Sequence, residues 1–278
     1  MPDLCLLHAN CQGEALALLL NAHAPFSRLF RLKHYINYTR ETLLPSDLQN
    51  CRLFLYQKLD ANFGDLASNV LLKRLPKTCQ TIQIPNLFFK GYWPFWMRAP
   101  ERIDFADSVL ERLIDIGLPM QEILRIYLSG SHPAFKTVAK IAQESLAQEK
   151  AKEKDCPIGC VHLLLQFWRE EPLFYTVNHP GPRLIIAVAE RLLQLLGLPP
   201  LSPACKANFV HPDRDFFLPI HPLVGQALGL NFTGPKVSYE IFGKRLTHAE
   251  FIASYLACRK EHVTNLAAFL HGRSKAAS

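Results

Sequence analysis

The sequence predicts an α/β fold: a mostly parallel sheet with helices on both faces, in three layers, carrying a helical insertion and a helical C-terminal extension. Two observations lead there. From Leu4 to Pro85, short apolar runs alternate with segments of helical periodicity, the pattern of strands joined by crossover helices. At 278 residues, with 49 % hydrophobic and 20 % charged side chains, the chain can bury a substantial core and disorder is not expected.

The elements follow in order. Leu4 to His8 is an apolar run that ends in Asn-Cys-Gln-Gly, and Glu14 to His23 has helical composition, so strand, tight loop and helix is the natural reading. Leu29 to Tyr35 is a second β-like run. Arg52 to Leu59 is a third, with Leu53, Leu55 and Gln57 alternating with Phe54, Tyr56 and Lys58. Gly64 to Leu75 spaces Leu66, Val70, Leu71 and Leu75 as an amphipathic helix stopped by Pro76. Thr81 to Ile84 is a fourth strand, closed by Pro85.

Phe105 to Lys154 reads as helical, with breaks at Gly117-Leu118-Pro119 and at Ser129 to Pro133. The charged run Gln148 to Asp155 ends it and reads as a solvated helix end. Leu173 to Val177 reads as the last strand, leading through Asn178-His179-Pro180-Gly181-Pro182 into an apolar helix, Arg183 to Leu196. The remainder is proline-rich, then helical from Thr247 to Leu270, and Gly-Arg-Ser-Lys-Ala-Ala-Ser at the end reads as frayed. The expected division is a domain over 1–198, including the insertion 105–155, and a mainly helical extension over 199–278.

A net charge of +7 admits an anionic partner. The basic residues are scattered rather than gathered in a stripe, which argues against nucleic acid. No stretch approaches the about 18 apolar residues of a membrane span, and Met1-Pro2-Asp3 lacks the basic start of a secretory signal. A soluble cytoplasmic protein is expected. Eight cysteines spread from Cys5 to Cys258 read as reduced thiols. Cys156 and Cys160 lack a second Cys/His pair at zinc spacing, so no metal is expected.

Cys11 stands out because it falls where a strand turns into a helix, and free backbone N–H groups with the helix dipole stabilise a thiolate there. Ala9 and Gly13 leave room for close approach. Asn10 and Gln12 bring carboxamides that, with the N–H groups of residues 11–13, can form an oxyanion hole; Asn10 is equally a helix N-cap. A nucleophile needs a base. His179 follows a strand and precedes a helix, as Cys11 does, and His221 in Ile-His-Pro-Leu competes with it; His132 and His211 are further His-Pro pairs. The aromatic stretch Pro85 to Trp96, interleaved with Lys90 and extended to Arg98, reads either as the lining of a site for a flat ring and phosphates or as a packed loop.

Taken together, Asn10-Cys11-Gln12, Leu55-Tyr56-Gln57, Ile84-Pro85-Asn86 with Gly91-Tyr92, and Phe174 to Pro180 resemble the WcbI-type polysaccharide biosynthesis proteins over about Leu4 to Leu198. Two positions depart from that pattern: Ala9 stands where Gly is expected, and Trp93-Pro94 where His-Pro is expected. The resemblance implies a fold related to SGNH hydrolases, coenzyme A binding, and O-acetyl transfer from acetyl-CoA to a sugar or polysaccharide acceptor in capsule biosynthesis. It further implies Cys11 at the nucleophile position with His179 as base. Asn10, Gln12, Gly13 and Asn178 would then surround the acyl group, and Lys90, Tyr92, Arg98 and Arg102 would hold the cofactor. Two other readings remain: an SGNH-like esterase with a cysteine nucleophile, and a non-catalytic carbohydrate- or nucleotide-binding protein.

Overall fold

Asp3–Ala9 (β1) alternates its side chains across the sheet, and both sets are buried: Leu4 and Leu6 on one face, Cys5, Leu7 and Ala9 on the other. A strand apolar on both faces must be central and covered twice. The computed structural model describes residues 1–276. The first third runs β1, Gln12–Ala22 (α1), Ala24–Leu29 (α2), Phe30–Ile36 (β2), Pro45–Asn50 (α3), Cys51–Gln57 (β3), Ser68–Arg74 (α4) and Gln80–Ile84 (β4). The four strands form one sheet in the order β2-β1-β3-β4, each neighbouring pair parallel.

Beyond β4 come Ser108–Asp115 (α5), Met120–Leu128 (α6), Val138–Glu153 (α7) and Val161–Phe167 (α8). The short strands Phe174–Thr176 (β5) and His179–Pro180 (β6) precede Pro182–Leu195 (α9). Pro203–Ala207 (α10), Pro222–Leu228 (α11), Ser238–Ile241 (β7), Lys244–Thr247 (β8), His248–Lys260 (α12) and Leu266–Ala276 (α13) complete the order.

The described chain groups into two compact units. The first comprises 1–88, 149–166 and 178–212; the second comprises 89–148, 167–177 and 213–278. Neither is bounded at residue 198, where the sequence suggests a division. In the first unit, Leu4, Leu6, Tyr35 and Phe54 on one face of the sheet join Leu48 of α3 and Leu71 of α4 in one apolar cluster. On the sheet's other side α1 packs against β1, β2 and α9. There α1 buries Leu16, Leu19 and Leu20, and α9 buries Ile185, Val188 and Leu192. The expected three layers are present, with helices on both faces.

In the second unit α5 starts where Asp107 accepts from the N–H groups of Val109 and Leu110. It ends before Gly117, whose φ of 80° suits only glycine without strain. α12 opens with a capping box in which Thr247 and Glu250 satisfy each other's backbone N–H.

Several expectations are corrected. Residues 64–75 are not one helix: a 3-10 turn, Ala61–Leu66, precedes α4, and Gly64 within that turn has φ 58°. Leu173 to Val177 contributes only the three residues of β5, which is outside the parallel sheet. It is also not the last strand, because β7 and β8 form an antiparallel hairpin inside the supposed helical extension. Its two-residue turn, Phe242-Gly243, holds both residues at positive φ (49° and 79°), as a type I′ turn requires; phenylalanine there hides the signal. Thr247 to Leu270 is two helices, parted around His262 at φ 56°. The tail expected to fray is helical through Ala276, and residues 277–278 lie outside the described residues.

Gly13 owes its identity to packing. A Cβ there would stand 2.9 Å from the Cβ of Ala9 and closer still to the His34 ring. Gly13→Ala is therefore expected to lower stability by about 1–3 kcal/mol through overpacking, read as a reduced denaturation midpoint with an unchanged slope.

Candidate functional site

The strand order places β2 and β3 on opposite sides of β1. In open parallel sheets the point where successive connections run in opposite directions leaves a crevice at the carboxyl ends of the strands, and ligands bind there. Here that point lies between the ends of β1 and β3, where Asn10-Cys11 and Gln57 sit.

The local structure is built from carboxamides. Gln57 is fully buried at the last position of β3. Its Oε1 accepts from the Asn10 backbone N–H at 2.8 Å and from Asn37 Nδ2 at 3.3 Å. Its Nε2 donates to the Pro85 carbonyl at 3.2 Å and lies 3.3 Å from Asn10 Oδ1. Asn10 Oδ1 also takes the Gln12 backbone N–H at 3.0 Å, while Asn10 Nδ2 donates to Asn86 Oδ1 at 3.2 Å. Asn10 therefore does cap the helix, and the Cys11 side chain makes no capping bond.

Gln12 does not fill the role expected of it. Its side chain is buried, and Nε2 donates to the carbonyls of Leu87 at 2.7 Å and Asn178 at 2.9 Å. Oε1 accepts from the Leu87 N–H at 3.1 Å. Both amide hydrogens are thus committed, so Gln12 fastens the chain around Leu87 and Asn178 to the loop instead of presenting a donor to an oxyanion. The Gln12 and Gly13 N–H groups are likewise engaged by Asn10. Gly13 makes room for Ala9 and His34, not for a substrate.

Cys11 is half-exposed at the start of α1. Asn178 Nδ2 donates to its Sγ at 3.6 Å, so the strand-end loop and residue 178 meet at the sulfur. His179, the next residue, is half-buried, and burial holds its imidazole well below the usual value, at about 4. It is neutral near pH 7 and able to accept a proton. Gly181, not His179, is the N-cap of α9.

The other His-Pro pairs have a different explanation. His221 Nδ1 accepts from the Leu223 N–H at 3.1 Å at the start of α11, and its Nε2 stands 3.2 Å from the Tyr127 carbonyl. Both nitrogens are used, which leaves His221 no uncommitted lone pair with which to take a proton. His132 Nδ1 accepts from the Ala134 N–H in the same way. Histidine before a proline at the first helical position acts here as an N-cap.

Lys90, Tyr92, Arg98 and Arg102 also belong to the second unit. Tyr92 is fully buried and donates to the Trp168 carbonyl at 2.6 Å. Trp93 Nε1 donates to the Leu218 carbonyl at 2.9 Å, so this part of the aromatic stretch is packed core. Arg102 pairs with Asp115 at 2.8 Å and Glu111 at 3.4 Å. Lys90 is half-buried and Arg98 exposed.

Sequence reading missed Gln57, Asn86 and Asn37 as parts of the site. Gln57 was visible as a polar residue ending an apolar strand, where an amide is costly unless it is bonded, and Asn86 as the polar residue just past Pro85. Asn37 carried no such signal. The charged run 148–155 ends a helix and is exposed at six of its eight positions, as expected, but Glu149 within it is buried and faces Lys152 at 2.5 Å.

Comparison with known proteins fixes the family. Residues 4–201 match the family model described as the polysaccharide biosynthesis enzyme WcbI. The chain belongs to this family. A solved structure of WcbI, a polysaccharide biosynthesis enzyme, covers 97 % of this chain and 94 % of its own at 17 % identity and a TM-score of 0.75, which shows a shared fold. That structure is described as the native protein without a disulfide bond between CoA and one of its cysteines. Among proteins of curated function none matches. Among the described residues no helix is long and apolar enough to cross a membrane.

Two outcomes are expected. Gln57→Leu strands the Asn10 N–H and the Pro85 carbonyl and costs about 1–3 kcal/mol for each group left unsatisfied, measured by denaturant unfolding. Near neutral pH, Cys11 alkylates ahead of the buried Cys5, Cys51, Cys160 and Cys258; mass-spectrometric labelling that ranks it with them overturns the assignment of a reactive thiol.

Proposed function

We propose that the protein is an O-acetyltransferase that moves an acetyl group from acetyl-CoA to a hydroxyl of a sugar in surface polysaccharide biosynthesis. The observation that carries this reading is the partly exposed Cys11 at the switch point of the sheet, with Asn178 Nδ2 on its sulfur and His179 next in the chain to Asn178. Membership of a family of polysaccharide biosynthesis enzymes supports the acceptor class. The relative described in terms of a disulfide between CoA and a cysteine supports a thiol site that receives the thiol end of CoA.

The residues present fit that end of the cofactor. A cysteine sulfur and a carboxamide N–H can flank a thioester carbonyl, the N–H donating to oxygen as charge develops on it. The cofactor supplies the acetyl group as an activated thioester. His179, neutral near pH 7, takes the proton from the attacking group: from Cys11 if the acetyl group first forms a thioester with its Sγ, or from the sugar hydroxyl if attack is direct. In either route the donor's carbon–sulfur bond breaks and its thiol leaves with a proton.

Ligand binding tests this reading, and a separate outcome follows from the buried histidines. CoA or acetyl-CoA at 100 times its dissociation constant stabilises the folded protein by about 2.7 kcal/mol, seen as a raised melting temperature; no shift at saturating ligand overturns the assignment. The histidines set a pH limit. Burial lowers those at 8, 179 and 221 to about 4 in the folded protein, against 6.5 for an ordinary imidazole. Between those values the unfolded chain holds more protons, so stability falls as pH drops through that window. Denaturation midpoints measured from pH 7 to pH 4 should decline accordingly.

A further inference from the structure

A cleft of about 360 Å³ opens in the first unit beyond the carboxyl ends of β3 and β4. Its apolar wall is Ile84, Leu87 and Val161, all buried. Lys58 and Asp60 follow β3, Asn86 follows β4, and Glu149, Lys152, Glu153 and Asp155 come from the end of α7 and the turn after it. The cleft adjoins the Cys11 loop through Asn86, whose Oδ1 accepts from Asn10 Nδ2 at 3.2 Å and whose carbonyl accepts from Lys152 Nζ at 2.6 Å.

Size and charge decide what fits. The volume lies at the lower end of the about 300–1,000 Å³ of small-molecule sites, enough for one sugar ring and too little for a nucleotide with its pantetheine arm. Four carboxylates face two ammonium groups, and both ammonium groups are already paired: Lys152 with Glu149 at 2.5 Å and Lys58 with Asp155 at 3.6 Å. The net negative charge of the cleft repels an entering phosphate, leaves a neutral ring unaffected and attracts an amine-bearing one. An apolar wall with a rim of carboxylates, ammonium groups and a carboxamide matches a ring that has apolar C–H faces and a hydroxyl edge.

We propose that this cleft receives the sugar ring of the acceptor, neutral or amine-bearing, and turns phosphate away. The proposal rests on the transferase reading above.

Cys156 is half-buried on the cleft wall, so its alkylation reports occupancy while Cys11 reports the proposed reaction centre in the same sample. Glucosamine, methyl glucoside and inorganic phosphate are the probes. At ten times its dissociation constant a bound sugar slows Cys156 labelling about tenfold, and phosphate leaves it unchanged. Asp155 is exposed, so Asp155→Lys should fold, and it should weaken protection by glucosamine more than protection by methyl glucoside. Failure of both sugars to protect Cys156, protection by phosphate, or an Asp155→Lys variant that holds glucosamine undiminished would each overturn the proposal. CoA protection of Cys11, measured alongside, keeps that failure distinct from failure of the transferase reading.

Discussion

The buried carboxamide of Gln57 is the constraint on which the site depends. An amide sealed at the end of a central strand must find partners or cost its full desolvation, and its partners here are the Asn10 N–H and the Pro85 carbonyl. Those two bonds join the turns that leave β1 and β4. Gln12 extends the same logic to Leu87 and Asn178. The outcome is a loop around Cys11 held by the carboxamides of Gln57, Asn10 and Gln12.

The same network explains why Gln12 is buried and committed although it neighbours the sulfur. A carboxamide offers two donors and two acceptor sites, so a single side chain can bind several backbone segments. Charged side chains at these positions would carry a desolvation penalty that amides avoid. Rigidity is then a property of the loop's supports, which fix where Cys11 and Asn178 meet.

Much of the first unit was legible because its signals are local. The four strands and α1 follow from apolar runs and from breakers such as Pro76 and Pro85. The turn that carries Cys11 is legible because it ends the first run. What escaped the sequence depends on tertiary partners. Gln57 reads as one more alternating polar residue until β4 brings Pro85 beside it. Glu149 reads as part of a solvated helix end until burial and Lys152 redefine it. The β7–β8 hairpin escaped because its turn places Phe242 at positive φ, where Asn or Gly is the usual marker. The His-Pro pairs were legible as special and misleading as to kind: His132 and His221 serve backbone N–H groups.

The chain passes between its two compact units at residues 88/89, 148/149, 166/167, 177/178 and 212/213. Each unit is therefore assembled from separated stretches of sequence. No single cut in the gene yields either one whole, so neither can be shed, swapped or fused elsewhere by a simple recombination event.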